Sequence, residues 1–127
     1  MLIRERGKAS RASQARVRKA QRGEHDARGL LEAHGYRVIE EQARGSWTVE
    51  VDGQAHEVDL YADLIVERDG WRYIAEVKTG AVAPDPRRPA TRRQLLEYLL
   101  AFEPDGLLLV DMAAETIHHV GFPGLEE

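Results

Sequence analysis

Apolar residues in the first quarter of the chain recur at steps of three or four, the spacing that places side chains on one face of a helix. They are Val17, Ala20, Ala27 and Leu31. The pattern predicts a helix over residues 13–34 that ends at Gly35, because glycine readily adopts the left-handed conformation that closes a helix. Glu24 lies on the same face. A carboxylate in an apolar stripe must pair with a cation such as Arg28, bind a metal, or lie at the edge of the stripe.

Beyond Gly35, apolar and polar positions alternate in a way that predicts strands. The predicted strands span residues 36–40, 47–51, 56–67, 71–78, 107–110 and 116–122, the last at a sheet edge. The Asp52-Gly53 pair predicts a tight hairpin turn. Three prolines predict an irregular loop over residues 81–90, and Thr91 is a candidate N-cap for a second helix. The order of elements, α-β-(β)-β-β-α-β-β, indicates a single α/β domain.

A second turn, at Asp69-Gly70, sets the pairing of the two strands that it joins. With a two-residue loop, residue 68 pairs with residue 71, which places Asp63 opposite Glu76. Opposed residues on antiparallel strands have Cβ atoms about 5 Å apart, so two carboxylates there repel each other unless a divalent cation lies between them. Lys78 leaves the same face of the strand as Glu76. The alternative interpretation is a cross-strand salt-bridge cluster.

Charge is distributed unevenly along the 127 residues. Residues 1–22 carry eight Arg or Lys and one Glu, whereas the rest of the chain has a net charge of −11. A basic arm on an acidic body is typical of proteins that bind polyanions, and the alternative is a solvated terminus. Further arginines near the start of the predicted second helix suit phosphate contacts, or keep a loop soluble: Arg87, Arg88, Arg92 and Arg93.

Composition excludes several function classes. The sequence has no cysteine, which excludes disulfides, thiolate zinc sites and cysteine nucleophiles. It has no apolar run long enough to span a bilayer and no apolar segment near its basic start, so neither a membrane partner nor a secretory signal is predicted. A cytoplasmic location is the resulting expectation.

A set of residues along the chain resembles the motif of the PD-(D/E)XK nuclease superfamily: Asp63, Glu76, Val77, Lys78, Gln94 and Tyr98. The stretch from Glu76 to Gly80, with a later helix that carries Gln94 and Tyr98, is similar to RecB-like nuclease domains. Residues 23–40 are similar to the start of small YraN-type proteins and archaeal Holliday-junction resolvases. On their spacing alone, Gln94 and Tyr98 also fit an ordinary helix edge.

The resemblance implies a fold and its boundaries. The expected fold is α/β and restriction-endonuclease-like, with an αβββαβ core in which helices flank a mixed central sheet. A basic arm over residues 1–22 would lead into the first helix of a single domain over residues 13–127. Two features depart from the family pattern: Ala62 replaces the proline that names the motif, and residues 43–57 lengthen a hairpin that is usually short.

The resemblance also implies the chemistry. We expect a nuclease that uses Mg²⁺ or Mn²⁺ to hydrolyse phosphodiester bonds in DNA. The implied metal ligands are Glu24, Asp63, Glu76 and the Val77 carbonyl, and the implied catalytic residues are Asp63, Glu76, Lys78, Gln94 and Tyr98. The expected DNA contacts come from Arg16, Lys19, Arg22, Arg87, Arg88, Arg92 and Arg93. A homodimer is a further expectation.

Two other functions fit the same residues. One is a catalytically inactive nucleic-acid-binding module of the same fold, and the other is an assembly subunit with a degenerate site. The basic segments do not discriminate between them and a nuclease. The opposed Asp63 and Glu76 favour catalysis, because a surface that only binds DNA gains nothing from two carboxylates.

Overall fold

The computed structural model describes residue 23 and residues 26–125 of the chain. This part contains two helices and five strands: α1 (residue 23 and residues 26–33), β1 (Arg37–Val51), β2 (Gln54–Arg68), β3 (Trp71–Lys78), α2 (Pro89–Phe102), β4 (Gly106–Asp111) and β5 (Thr116–Val120). The strands form one sheet in the order β1-β2-β3-β4-β5. β3 and β4 are parallel, and the other neighbours are antiparallel. The fold is therefore α/β, with a mixed five-stranded sheet and two helices.

The two helices pack against the sheet in two separate apolar clusters. Leu64 of β2 lies in a buried cluster with Leu31 of α1. Ile65, the next residue of β2, lies in a second cluster with Leu95 and Tyr98 of α2. Because successive side chains of a strand point to opposite faces, the centre of β2 is apolar on both sides. The structure therefore confirms the expected α/β class and the expected mixed sheet flanked by helices.

The C-terminal end of α1 follows the prediction from the sequence. Gly35 has a φ of 86°, and its N–H donates to the carbonyl of Glu32. The N–H of Tyr36 donates to the carbonyl of Leu31, which completes the paired bonds of a Schellman motif. Glycine suits this position because it adopts a positive φ without the steric cost that a Cβ brings. The chain then turns directly into β1.

β1 and β2 form one continuous hairpin of two 15-residue strands, joined at Asp52-Gly53. The prediction of two separate strands over 36–40 and 47–51 was wrong in this respect, although the turn is where it was predicted. Most of β1 is exposed, so its residues show little of the alternation that identifies a strand. Its backbone nevertheless pairs with β2 out to Val51 and Gln54.

The hairpin bends over α2 instead of continuing flat. A β-bulge lies between Val38 and Glu40, and Gln42 has a positive φ of 49°. Further along β1, a Cβ at Gly45 would lie 2.5 Å from the Phe102 ring of α2. A bulge increases the local twist, and glycine permits the close approach. The result is a curved ribbon whose inner side rests on α2.

α2 begins earlier than its sequence suggested. Its N-cap residue is Arg88 and the helix starts at Pro89, whereas Thr91 was predicted as the cap and residues 81–90 as a loop. Proline is well suited to the first turn of a helix, where its fixed φ is helical and its missing N–H is not needed. Thr91 lies within this first turn and is buried.

The remaining strands follow the sequence closely. β2 and β3 pair from Arg68–Trp71 to Leu64–Ala75, the register predicted from the second hairpin turn. β4 is buried and β5 is an edge strand, as predicted, with β5 two residues shorter than expected. None of the helices in the described part of the chain is long and apolar enough to cross a bilayer.

Candidate functional site

Asp63 lies one residue beyond the last backbone pair of β2 and β3. Its Oδ2 accepts a hydrogen bond of 2.8 Å from the backbone N–H of Val77. The carboxylate therefore extends the contact between the strands by one further bond. Its Oδ1 is 3.4 Å from the amide nitrogen of Gln42 on β1. Three adjacent strands thus converge on this one side chain.

Glu76 is the buried acid of the site, with 4% of its surface exposed. Its Oε1 accepts a hydrogen bond of 2.6 Å from the Tyr98 hydroxyl, and its Oε2 lies 3.3 Å from Lys78 Nζ. Burial, and then the negative charge of Asp63, raise the pKa of Glu76 from 4.5 to about 7. The bond from Tyr98 and the charge of Lys78 offset only part of this rise. Near neutral pH, Glu76 is therefore divided between its charged and neutral forms.

Lys78 is held between the sheet and α2. Its ammonium group lies 3.3 Å from Glu76 Oε2 and donates to Gln94 Oε1 over 3.3 Å. Gln94 and Tyr98 are one helical turn apart, so both reach β3 from the same face of α2. A third of the Lys78 side chain is exposed. The ammonium is thus oriented by the protein and accessible from solvent.

The structure brings together the five residues that were predicted as catalytic: Asp63, Glu76, Lys78, Gln94 and Tyr98. The alternative for Asp63, Glu76 and Lys78, a salt-bridge cluster, is present in part, since Lys78 pairs with Glu76. Gln94 and Tyr98 do more than form a helix edge, because each bonds a side chain of β3. Contacts of this kind make them positioning residues for Lys78 and Glu76.

The structure describes three of the four predicted metal ligands. Asp63 and Glu76 are adjacent, and the backbone N–H of Val77, in β3, donates a hydrogen bond to Asp63. Glu24 lies outside the described residues. Gly23, the residue before it, packs so closely on Thr79 that a side chain at position 23 would collide with it. Over residues 26–125 and residue 23, no group of three or more His, Asp and Glu side chains converges.

Gln42 is a site residue that the sequence did not reveal. It combines a positive φ of 49° with a hydrogen bond to Asp63. Backbone strain of this kind occurs at positions where the surrounding structure holds a side chain in a required place. A glutamine in a polar segment carries no sequence signal. Its left-handed conformation depends on the bend of β1, which only the structure shows.

The arginines near α2 differ in their surroundings. Arg87 donates its backbone N–H and two guanidinium nitrogens to Asp85, over 2.9 to 3.0 Å. Arg92 donates to the carbonyl of Arg87, whereas Arg88 lines a cavity beside Lys78 and Arg93 is exposed. The other predicted DNA contacts lie outside the described residues: Arg16, Lys19 and Arg22.

Comparison with known proteins bears on the fold. No protein-family model and no curated protein sequence matches this chain. Among solved structures, the fold is similar to the crystal structure of SSO0001, with a TM-score of 0.58 and 20% sequence identity. The similarity covers 93% of this chain, which spans 59% of the length of SSO0001. This similarity shows a shared fold.

Proposed function

We propose that this protein is a metal-dependent nuclease that hydrolyses phosphodiester bonds in DNA, with the restriction-endonuclease-like core that its motif resembles. The observation that carries the proposal is the meeting of Asp63, Glu76 and Lys78 where the pairing of β2 with β3 ends. Two neighbouring carboxylates can hold a metal ion, and a partly exposed ammonium can offset negative charge on a phosphate, both of which promote phosphodiester hydrolysis. Burial and the nearby charge of Asp63 disfavour the ionised form of Glu76, as its raised pKa indicates. Strongly perturbed carboxyl groups of this kind are typical of functional sites, which supports the proposal.

Asp63 and Glu76 fit Mg²⁺ or Mn²⁺ as ligands. Both present carboxylate oxygens, the donors that these hard cations prefer. A dication beside the pair would offset the repulsion that raises the pKa of Glu76. The Val77 carbonyl and Glu24 are the further ligands that the resemblance implies. When bound, the cation supplies Lewis-acid polarisation of the phosphate and a more acidic water.

The protein's own residues then have separate tasks. Lys78 holds a proton on Nζ and offsets the negative charge that develops on the phosphate during hydrolysis. Gln94 fixes the direction of that ammonium. Tyr98 holds Glu76 in place, while the N–H of Val77 and the amide of Gln42 hold Asp63. Positioning of this kind is what keeps a catalytic group within reach of its substrate.

The test is a cleavage assay on single-stranded, duplex and branched DNA, with Mg²⁺ or Mn²⁺ and with an EDTA control. Cleavage should require the cation. Lys78→Met, which keeps the length of the side chain, should fold and lose most of the activity. Arg37→Gln is the control, because it removes a cation whose partner, Glu67, is outside the site. Full activity of Lys78→Met, or cleavage that persists in EDTA, would refute the proposal.

A catalytically inactive DNA-binding module is the second candidate. The observation that favours it is the ion pair of Lys78 with Glu76, which a purely structural salt-bridge cluster would also form. Such a module would bind DNA in a salt-dependent way and leave it intact with either cation. An assembly subunit would show neither binding nor cleavage, so the same assay separates the three functions.

A further inference from the structure

An apolar groove of about 410 Å³ lies beside the C-terminal half of α2. Leu96, Leu99 and Leu100 of α2 line it, together with Leu125. Leu100 is 56% exposed and Leu125 is 67% exposed. Apolar side chains that adjoin one another at the surface are typical of a face that binds a partner. The groove is therefore a candidate interaction surface.

The groove and the candidate site lie on different sides of α2. Gln94 and Tyr98 contact the side chains of the site, whereas Leu96 and Leu100 lie two residues further along the helix and line the groove. Two residues correspond to about 200° around an α-helix, so the two pairs of side chains leave nearly opposite sides. A partner in the groove would therefore leave the candidate site open.

Charged residues of opposite sign lie at the two ends of this leucine pair. Arg93 precedes Leu96 by three residues, and Glu103, the C-cap residue of α2, follows Leu100 by three residues. Both charged residues are exposed, and neither forms an ion pair with another described residue. Steps of three, four and three residues are the spacing by which two packed helices contact each other.

A second copy of this chain has the charges that match this face. When two copies pack with α2 antiparallel about a two-fold axis, Leu96 of each copy meets Leu100 of the other. The same symmetry brings Arg93 of each copy to Glu103 of the other, so the charges are complementary at both ends. A parallel pair would place like charges together. Nucleic acid is a poor alternative, because Glu97 and Glu103 repel a polyanion.

We propose that this side of α2 is a homodimer interface, in which two copies cover the leucines of the groove and form reciprocal ion pairs between Arg93 and Glu103. The apolar contact is small, and Glu97 lies near the middle of the face, where it repels its own image across the axis. Dimerisation is therefore reversible, with a Kd in the micromolar range. The inference does not depend on the proposed nuclease activity.

The first experiment is analytical ultracentrifugation of the whole chain, without DNA and in EDTA. The average mass should rise from that of a monomer towards that of a dimer between about 1 and about 500 µM protein. Leu100→Glu should weaken the dimer about tenfold or more, because it places a charge in the apolar contact. Val51→Glu is the matched control, since Val51 is also 56% exposed and lies outside the groove lining. A chain that stays monomeric, or an equal Kd after Leu100→Glu, would overturn the inference.

A charge exchange tests the antiparallel arrangement. Arg93→Glu and Glu103→Arg should each weaken the dimer, because each single variant places like charges opposite each other. The double variant exchanges the two charges and should restore most of the wild-type affinity. Both positions are exposed, so each variant should keep its fold, which the melting temperature checks. A double variant that associates no better than the single variants would overturn the inference.

A third variant should strengthen association, a result that a folding defect does not produce. Glu97→Gln removes the repulsion between the two copies near the axis, so the dimer should bind more tightly than the wild type. The gain should be smaller at high salt, where the repulsion is already screened. An unchanged or weaker dimer would contradict the antiparallel arrangement. Because these measurements contain no DNA, any contact of Arg93 with DNA does not affect their outcome.

Discussion

The Tyr98 hydroxyl donates a hydrogen bond of 2.6 Å to Glu76 Oε1, and both side chains are almost fully buried. This bond joins α2 to β3 at the centre of the site. Burial, and then the charge of Glu76, raise the pKa of the Tyr98 phenol, so the phenol keeps its proton and remains a donor. Glu76 is thus held by a donor that does not titrate in the range where Glu76 itself does.

Removal of that hydroxyl should destabilise the protein in a pH-dependent way. Tyr98→Phe removes the hydroxyl that donates to the ionised Glu76. The free energy of unfolding should therefore fall by about 1–3 kcal/mol. The loss should be larger at about pH 8 than at pH 5, because protonated Glu76 needs the donor less. Urea unfolding at the two pH values measures it. Tyr61→Phe, at a largely exposed side chain, is the control, and an equal loss at both pH values would contradict the prediction.

The raised pKa of Glu76 should itself be visible in the stability of the protein. Because the folded state binds this proton more tightly, the contribution of Glu76 to stability is complete below pH 4.5 and is lost as the pH rises to about 7. The shift corresponds to about 3 kcal/mol. The free energy of unfolding of the wild type, relative to Glu76→Gln, should fall by about this amount across that range. A difference that does not change with pH would contradict the assignment.

Divalent cations should stabilise the folded protein through Asp63 and Glu76. At about pH 8, Mg²⁺ or Mn²⁺ should raise the melting temperature, equivalent to about 2.7 kcal/mol at a hundredfold excess over Kd. Asp63→Asn should abolish this effect. In the metal-free protein it ends the repulsion with Glu76 but leaves one oxygen to accept from Val77 and Gln42. Asp59→Asn, at an exposed position of β2 that pairs with Arg44, is the matched control. If neither cation changes the melting temperature of the wild type, this result counts against a metal site.

The arginines at α2 should contribute unequally to DNA binding. Arg87 is engaged by Asp85, so Arg87→Gln removes no phosphate contact and should leave the salt slope unchanged. Arg88→Gln should reduce the slope of log Kd against log salt by about 0.9, the value for one lost phosphate contact. Fluorescence anisotropy with duplex DNA across a salt series measures both slopes. Equal slopes for the two variants would mean that the pairing with Asp85 does not persist in the complex.

The register that opposes Asp63 and Glu76 could be predicted because it depends on a few adjacent residues. The turn at Asp69-Gly70 fixes the pairing of β2 and β3, and a period of two then places each side chain on a face. Helical spacing likewise placed Gln94 and Tyr98 together. These are local rules. They require no knowledge of how the elements pack.

The course of β1 could not be predicted, because it is determined by packing. Its bulge after Val38 and the positive φ of Gln42 redirect the strand, and further along Gly45 approaches Phe102 of α2 closely. Nothing within residues 37–51 indicates where α2 lies. The hydrogen bond from Gln42 to Asp63 depends on the same bend, which is why it was missed.

The parallel pairing of β3 with β4 has a consequence for how the site forms during folding. Along this sheet every strand adjoins the strand next to it in the chain, and β1, β2 and β3 are joined by short turns. The connection from β3 to β4 is the longest and therefore has the largest entropy of loop closure. Asp63 and Glu76 lie on strands that a short turn joins, whereas Gln94 and Tyr98 lie on the helix within the long connection. A chain that has formed only its hairpins holds two acids without the groups that orient them, so we expect the complete site, on which the proposed activity depends, to form only when the crossover helix docks.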